Sequence, residues 1–162
     1  MNDQYEENAQ TQTSDEPVDL EFVEGNALEQ LKREQNLPRG VLFGVGAALV
    51  GAGLWAAITI STGYQIGFMA IGVGLLVGFA VRKGGQGIEQ IFGIVGASLA
   101  FLGCLLGNVF TALNFGWPLN SELFSWMFSD FMDFLFYGLA IYEGYKFSFR
   151  RVTESDLAHA AS

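Results

Sequence analysis

Residues 64–81 have the sequence YQIGFMAIGVGLLVGFAV, in which eighteen consecutive residues carry no charge and a glycine occurs on almost every helical turn. A segment of this length and polarity matches the hydrocarbon core of a bilayer, which is about 30 Å thick. Because no water is available in that core, the backbone must satisfy its own hydrogen bonds, as a helix does within one segment. We therefore predict that residues 64–81 cross a membrane as a helix.

Gly67, Ala70, Gly74 and Gly78 share one narrow face of the predicted helix, because residues three or four apart lie above one another, and Gly72 lies opposite. Apolar helices in lipid associate through van der Waals contact, and a face of small residues lets two backbones approach. We interpret the face as a packing seam inside a bundle; a pore lining and a seam between protomers are the alternatives. The same pattern in the other spans completes the set of predicted packing glycines: Gly44, Gly51, Gly67, Gly74, Gly78, Gly96, Gly103 and Gly107.

Four apolar segments predict an all-α, polytopic membrane protein with four transmembrane helices. The predicted spans are residues 41–61, 64–81, 88–113 and 131–149. The first two are joined by so short a connection that they must form an antiparallel helical hairpin, and we expect the last two to form a second hairpin. The polar and aromatic residues 114–129 predict a short interfacial helix before the fourth span.

The basic residues predict the orientation of these spans. A four-span path places all eight on one side, whereas an odd number of spans would divide them. By the positive-inside rule both termini are then cytoplasmic. The eight residues are Lys32, Arg33, Arg39, Arg82, Lys83, Lys146, Arg150 and Arg151.

The N-terminal region has a different composition. The first 31 residues contain nine Asp and Glu residues and no Lys or Arg. Their summed charge of −9 equals the net charge of the whole chain. We predict a disordered acidic cytoplasmic tail over 1–25, an amphipathic juxtamembrane helix over 26–38, the four-helix transmembrane domain over 39–151, and a cytoplasmic tail over 152–162. Asn26 and Glu29 have the spacing of a capping box. The acidic tail argues against nucleic acid as a partner, and no cleavable signal peptide is expected.

Residues that carry catalysis or bind metals are scarce. The chain has one histidine, in the C-terminal tail, and one cysteine, Cys104, inside an apolar run. A nucleophile with an adjacent base, or ligands at metal spacing, cannot be assembled from these two. We therefore predict no enzymatic activity, no cofactor and no metal site.

Two groups of polar residues are nevertheless candidates for function. Asp133 and Glu143 are predicted within the fourth span, where ionisable residues are functional candidates by default. For Asp133 we weigh a structural hydrogen-bond partner against an ion or proton role, and for Glu143 an ion pair with Lys146 is a sufficient explanation. Arg82, Lys83 and Gly85 precede a helix N-terminus and are candidates for binding a lipid phosphate; an ordinary positive-inside turn is the alternative.

Several segments together resemble small glycine-rich four-span membrane proteins of bacteria that have no known activity. The segments are REQNLPRG (33–40), TGYQIGFMAIGVG (62–74), AVRKGG (80–85), GCLLGN (103–108) and LFYGLAIYEGYKFSFR (135–150). The resemblance covers residues 30–151 and implies a bacterial inner membrane, without a mechanism.

The sequence therefore predicts an integral membrane subunit that is structural or binds a partner. Its partners are the lipid bilayer and either further copies of itself or another membrane protein, contacted through glycine-lined helix faces. The alternative is a small ion or proton channel, or transporter, that uses Asp133.

Overall fold

The computed structural model describes residues 20–64, 67–118, 120, 125 and 131–153. This part of the chain is helical and contains no strand. Its five helices are α1 (Leu20–Glu34), α2 (Leu37–Thr62), α3 (Phe68–Gly85), α4 (Gln90–Asn114) and α5 (Phe131–Phe147). The all-helical prediction is confirmed for these residues.

Three of the helices are long and apolar enough to cross a membrane. They are α2, α3 and α4, with 26, 18 and 25 residues. The fourth predicted span, α5, has 17 residues and is about 26 Å long at 1.5 Å per residue. Most of the predicted interfacial segment 114–129 lies outside the described residues.

Helices α3 and α4 form the centre of the bundle, because each contacts the other and both outer helices. Helix α2 packs against one side of this central pair and α5 against the other side. Gly40 on α2 lies beside Gly85 on α3, and Gly51 lies beside Val73, so these two helices run in opposite directions. Helix α4 runs parallel to α2, since Gly107 contacts Trp55 at the far end of both.

Most buried residues of the bundle are Gly or Ala, whereas many Leu, Ile and Phe side chains are exposed, which is the reverse of a water-soluble domain. On α2, every buried residue except Trp55 is Gly, Ala or Thr. Leu42, Val50 and Leu54 on the same helix are 69%, 58% and 56% exposed. In lipid this arrangement is favourable, because large side chains lose little by facing acyl chains and small ones let the backbones approach.

The helix boundaries differ from the sequence-based expectation at two places. Helix α1 begins at Leu20, so Asn26 lies within it and the predicted capping box is wrong. The residue that caps α2 is Asn36, whose side chain accepts a hydrogen bond from the Arg39 N–H at 3.0 Å, with Pro38 in the first turn. Helix α3 continues through Gly85, which places Arg82 and Lys83 in its last turn.

Candidate functional site

The backbones of α4 and α5 are in contact where they cross. A Cβ atom built on Gly144 would lie 2.8 Å from the Gly96 carbonyl oxygen, and one built on Gly96 would lie 2.5 Å from the Gly144 carbonyl oxygen. Ser148 is fully buried beside Gly96 and donates its hydroxyl hydrogen to the Gly144 carbonyl. Because a larger residue would meet backbone atoms, this crossing requires glycine on both helices.

Helix α3 presents its predicted glycine face to α5. A Cβ atom on Gly74 would lie 2.5 Å from the Ala140 carbonyl oxygen, and one on Gly78 would lie 2.9 Å from the Phe147 β-carbon. At the N-cap of α3, Gly67 lies against an aromatic ring of α5. The α3/α5 contact is therefore also a backbone-to-backbone approach.

The remaining predicted glycines lie where α2 meets α3 and α4. A Cβ atom on Gly44 would lie 2.6 Å from side-chain atoms of both Val81 and Leu99, and one on Gly107 would lie 2.9 Å from Trp55 Cγ. The neighbours here are side chains, which can adjust more easily than backbone can. The four glycines of this contact are Gly44, Gly51, Gly103 and Gly107.

The glycines between α3 and α4 surround an aromatic ring. Phe92, in the first turn of α4, is 1% exposed and lies against Gly40, Gly85 and Gly87. Gly40 and Gly85 also bring α2 and α3 together, since a Cβ atom on either would lie 3.2 Å from the α-carbon of the other. The packing of Phe92 thus gives a structural role to Gly85, which was predicted as part of a lipid-phosphate site.

Backbone donors at the start of α4 are already hydrogen-bonded. The N–H groups of Ile88 and Glu89 donate to the side-chain oxygen of Gln35 at 3.1 and 3.4 Å. The Asn36 N–H donates to the Gly85 carbonyl at 2.9 Å. An anion at this end of the bundle would therefore be held by side chains, and not by these backbone groups.

The basic residues of the helical bundle lie at one end of it, where α2 and α4 begin and α3 and α5 end. Arg82 is half-buried and Lys83 exposed in the last turn of α3. The carbonyl oxygen of Arg39 lies next to Gly84, 2.9 Å from where its Cβ atom would be. The Arg150 N–H donates to the Gly87 carbonyl at 2.8 Å. The fold therefore gathers cations that are far apart in sequence.

Apart from Ser148, the buried polar side chains of the described bundle lie toward the opposite end. The Asn108 amide nitrogen donates to the Tyr137 hydroxyl oxygen at 2.5 Å, and the two residues are 2% and 4% exposed. On α2, the Trp55 indole N–H and the Thr59 hydroxyl are buried without a hydrogen-bond partner among the described residues. The sequence did not predict this bond, which joins residues 29 positions apart on two helices.

The two predicted intramembrane acids lie in different parts of α5. Asp133 is in its first turn, four residues before Tyr137, and its side chain lies outside the described part of the structure. Glu143 is half-buried toward the basic end. The expected ion pair with Glu143 is not formed in the described residues; instead the Lys146 Nζ atom lies 5.4 and 5.7 Å from the centroids of two aromatic rings of its own helix.

An apolar groove of about 360 Å³ opens on the outer face between α2 and α3. A Cβ atom built on Gly72, at its edge, would have no neighbour within 4 Å. The groove is thus open space next to the tightly packed seam, on the opposite side of α3 from Gly74. Its lining residues are Gly51, Leu54, Trp55, Ile58, Met69, Gly72, Val73 and Leu76.

Within the described residues, no group of three or more His, Cys, Asp or Glu side chains could hold a metal ion. Cys104 is buried with a free thiol in the bundle core. Gly144 was not among the predicted packing glycines, although its spacing of four from Ala140 places both on one helix face. No sequence signal could have indicated Gln35, because it bonds to residues more than fifty positions away.

Searches against protein-family models, curated protein sequences and solved structures found no match to this chain. The resemblance to small glycine-rich bacterial membrane proteins therefore stays a prediction.

Proposed function

We propose that this chain is a four-span integral membrane protein that serves as a non-catalytic structural or partner-binding subunit and associates with further copies of itself. The spans are α2 to α5, arranged as two antiparallel hairpins, with both termini on the cytoplasmic side of a bacterial inner membrane. Helix α5 is within the range of about 17 to 25 residues that spans a bilayer.

One observation carries the proposal: most buried residues of the bundle are Gly or Ala, whereas many large apolar side chains face outward. Leu42 on α2 and Phe68 on α3 are 69% and 71% exposed, whereas Ala52 and Ala70 on the same helices are fully buried. Exposed apolar surface of this extent would cause aggregation in water and is expected in lipid.

The proposed topology is supported by the collection of the basic residues at one end of the bundle. Single cysteines are introduced at Gln10, Asn120 and Ala158 in a Cys104→Ala background. An impermeant thiol reagent added to intact cells is expected to label only position 120. Labelling of position 10 or 158 under these conditions would contradict the four-span orientation.

Self-association is supported by a second glycine face of α2 that the bundle does not use. Gly46 and Gly53 are exposed, a Cβ atom on either would have no neighbour within 4 Å, and Ala57 continues the same face. Such a face lets a second helix approach closely. Native mass measurement in nanodiscs is expected to find more than one copy per particle. A single copy at all protein concentrations would contradict self-association.

We propose a proton or cation channel as the second candidate function, because Asp133 lies one helical turn before the buried Asn108–Tyr137 pair. A carboxylate at this depth is costly unless it meets water, a donor or a cation. In proteoliposomes, a channel predicts flux that Asp133→Asn abolishes without unfolding the protein. Absence of flux from folded wild-type protein would leave the structural role as the better account.

A further inference from the structure

We infer that the outer face of the α2/α3 pair binds an anionic phospholipid, with its headgroup on Arg39 and Lys83 and an acyl chain running along the face toward the apolar groove. The inference rests on the proposed membrane location and adds a lipid class and a site to it.

Helical register places the two cations on the same face as the groove. On α3, Lys83 lies seven residues after Leu76 and eleven after Gly72, both of which line the groove. Residues at these spacings lie on one side of a helix. On α2, Arg39 begins an outer stripe that leads to the groove residue Leu54. This stripe lies on the α3 side of the Gly46/Gly53 face, so the lipid and a second copy of the chain would occupy neighbouring surfaces of α2. The members of that stripe are Arg39, Phe43, Val50 and Leu54.

Close packing of the two helices holds the cations near each other. Gly84, next to Lys83, has no room for a Cβ atom, which would lie 2.9 Å from the Arg39 carbonyl oxygen and 2.7 Å from the Phe43 β-carbon. The backbone of Arg39 is fixed in turn by its hydrogen bond to the Asn36 side chain. Arg39 and Lys83 therefore lie on the two sides of a tight junction between α2 and α3. The two helices cannot separate there without losing these contacts.

The charges of Arg39 and Lys83 are available to a ligand. Within the described residues neither side chain has an ion-pair partner, and both are exposed. Arg39 lies in the first turn of the apolar helix α2 and Lys83 in the last turn of the apolar helix α3. The proposed membrane location puts both at the depth of lipid phosphates. Basic residues in this position favour anionic over zwitterionic lipids.

Below the cations the face is apolar and has space for a chain. Phe43 and Val50 are 50% and 58% exposed. The near edge of the groove, at Leu76, lies about 10 Å along α3 from Lys83, which is within the depth of about 15 Å of one leaflet. The end of an acyl chain whose headgroup is on Arg39 and Lys83 therefore reaches the groove.

The test measures lipid retention by native mass spectrometry after release from nanodiscs of phosphatidylcholine mixed with phosphatidylglycerol. Wild-type protein is expected to retain phosphatidylglycerol in preference to phosphatidylcholine. Arg39→Gln and Lys83→Gln are each expected to lower this preference about fivefold, the effect of about one basic residue near an anionic surface. Arg33→Gln on α1 and Lys146→Gln on α5 remove exposed cations from other helices. They are the matched controls and should leave the preference unchanged.

A second variant tests the groove without changing any charge. Gly72→Leu places a side chain in open space, so the melting temperature should stay at or above that of the wild type. It is expected to lower the number of retained lipids of both kinds while the headgroup preference remains. If Gly72→Leu retained as many lipids as the wild type, the proposed chain path would be wrong.

Three outcomes would overturn the inference as a whole. They are a wild-type protein without headgroup preference, an unchanged preference in the Arg39→Gln/Lys83→Gln double variant, and an equal loss in the controls. None of these outcomes would contradict the proposed membrane location, because the chain is still recovered in nanodiscs. Recovery of the chain in the soluble fraction without detergent would overturn both this inference and the proposed function.

Discussion

Two pairs of glycines with the same spacing have opposite surroundings in this molecule. Gly96 and Gly103 are seven residues apart on α4 and are buried against neighbouring helices, whereas Gly46 and Gly53 are seven residues apart on α2 and face outward with open space above them. Glycine spacing therefore predicts a flat helix face but does not predict what lies against that face. Only a neighbouring helix converts such a face into a contact.

The largest loss of stability is expected from a substitution at one of the buried glycines. Gly96→Leu would push a side chain into the backbone of α5, and we expect a loss of more than about 3 kcal/mol, beyond the usual range for overpacking. Gly46→Leu should change stability by less than about 1 kcal/mol, as surface substitutions usually do. Size-exclusion profiles and thermal unfolding in detergent measure both variants. Similar losses for the two would mean that the α4/α5 crossing is not tight.

A smaller but cleaner contrast lies within one helix. Gly74→Ala would place a methyl group 2.5 Å from the Ala140 carbonyl oxygen, and a destabilisation of about 1–3 kcal/mol is expected. Gly72→Ala, two residues away, meets nothing within 4 Å and should stabilise the helix by about 0.5–1 kcal/mol. Opposite signs in the change of melting temperature are the required result. Equal signs would show that α3 is rotated relative to α5.

The buried polar contact is expected to have a moderate effect. Tyr137→Phe and Asn108→Ala each remove one side of the hydrogen bond between them, and such bonds between membrane helices contribute about 0.6 kcal/mol on average and at most about 1.7 kcal/mol. A double-mutant cycle on unfolding free energy isolates their coupling. Thr111→Val is the control, since the Thr111 hydroxyl donates to the Gly107 carbonyl of its own helix. A coupling energy of zero would show that this hydrogen bond does not stabilise the packing of α4 against α5.

The smallest effect on stability is expected on the outward face of α2. Gly53→Leu should leave the melting temperature almost unchanged, because its surroundings are open. If copies associate through this face, the substitution should shift native mass toward the single copy, since the backbones can no longer approach. A shift in melting temperature without a shift in mass would indicate that Gly53 packs within the bundle.

The helical fold was predictable because its signal is local. Apolar runs long enough to cross a membrane coincide with α2, α3 and α4, and their inward small residues recur at helical spacing. Boundaries were less predictable. Helix α1 begins at Leu20, six residues before Asn26.

The candidate sites were predictable only in part. The sequence predicted Arg82 and Lys83 as cations at the end of a span. The neighbouring glycines pack against Phe92, and the backbone N–H groups of Ile88 and Glu89 donate to the Gln35 side chain. Arg39, which the inferred lipid site pairs with Lys83, lies more than forty positions away in the chain. Periodicity describes one helix at a time and contains no information about such pairs.

The helical state of the described chain, its long apolar helices and their glycine-lined faces could be predicted from sequence, since each depends on residues within a few turns of one another. Which of those faces meet a helix is visible only in the three-dimensional structure. It joined Gly96 to Gly144 and Gly74 to Ala140, and it left Gly46 exposed. The physical reason is that a small-residue face can lie against lipid or against another helix, and the choice depends on how well two distant surfaces fit.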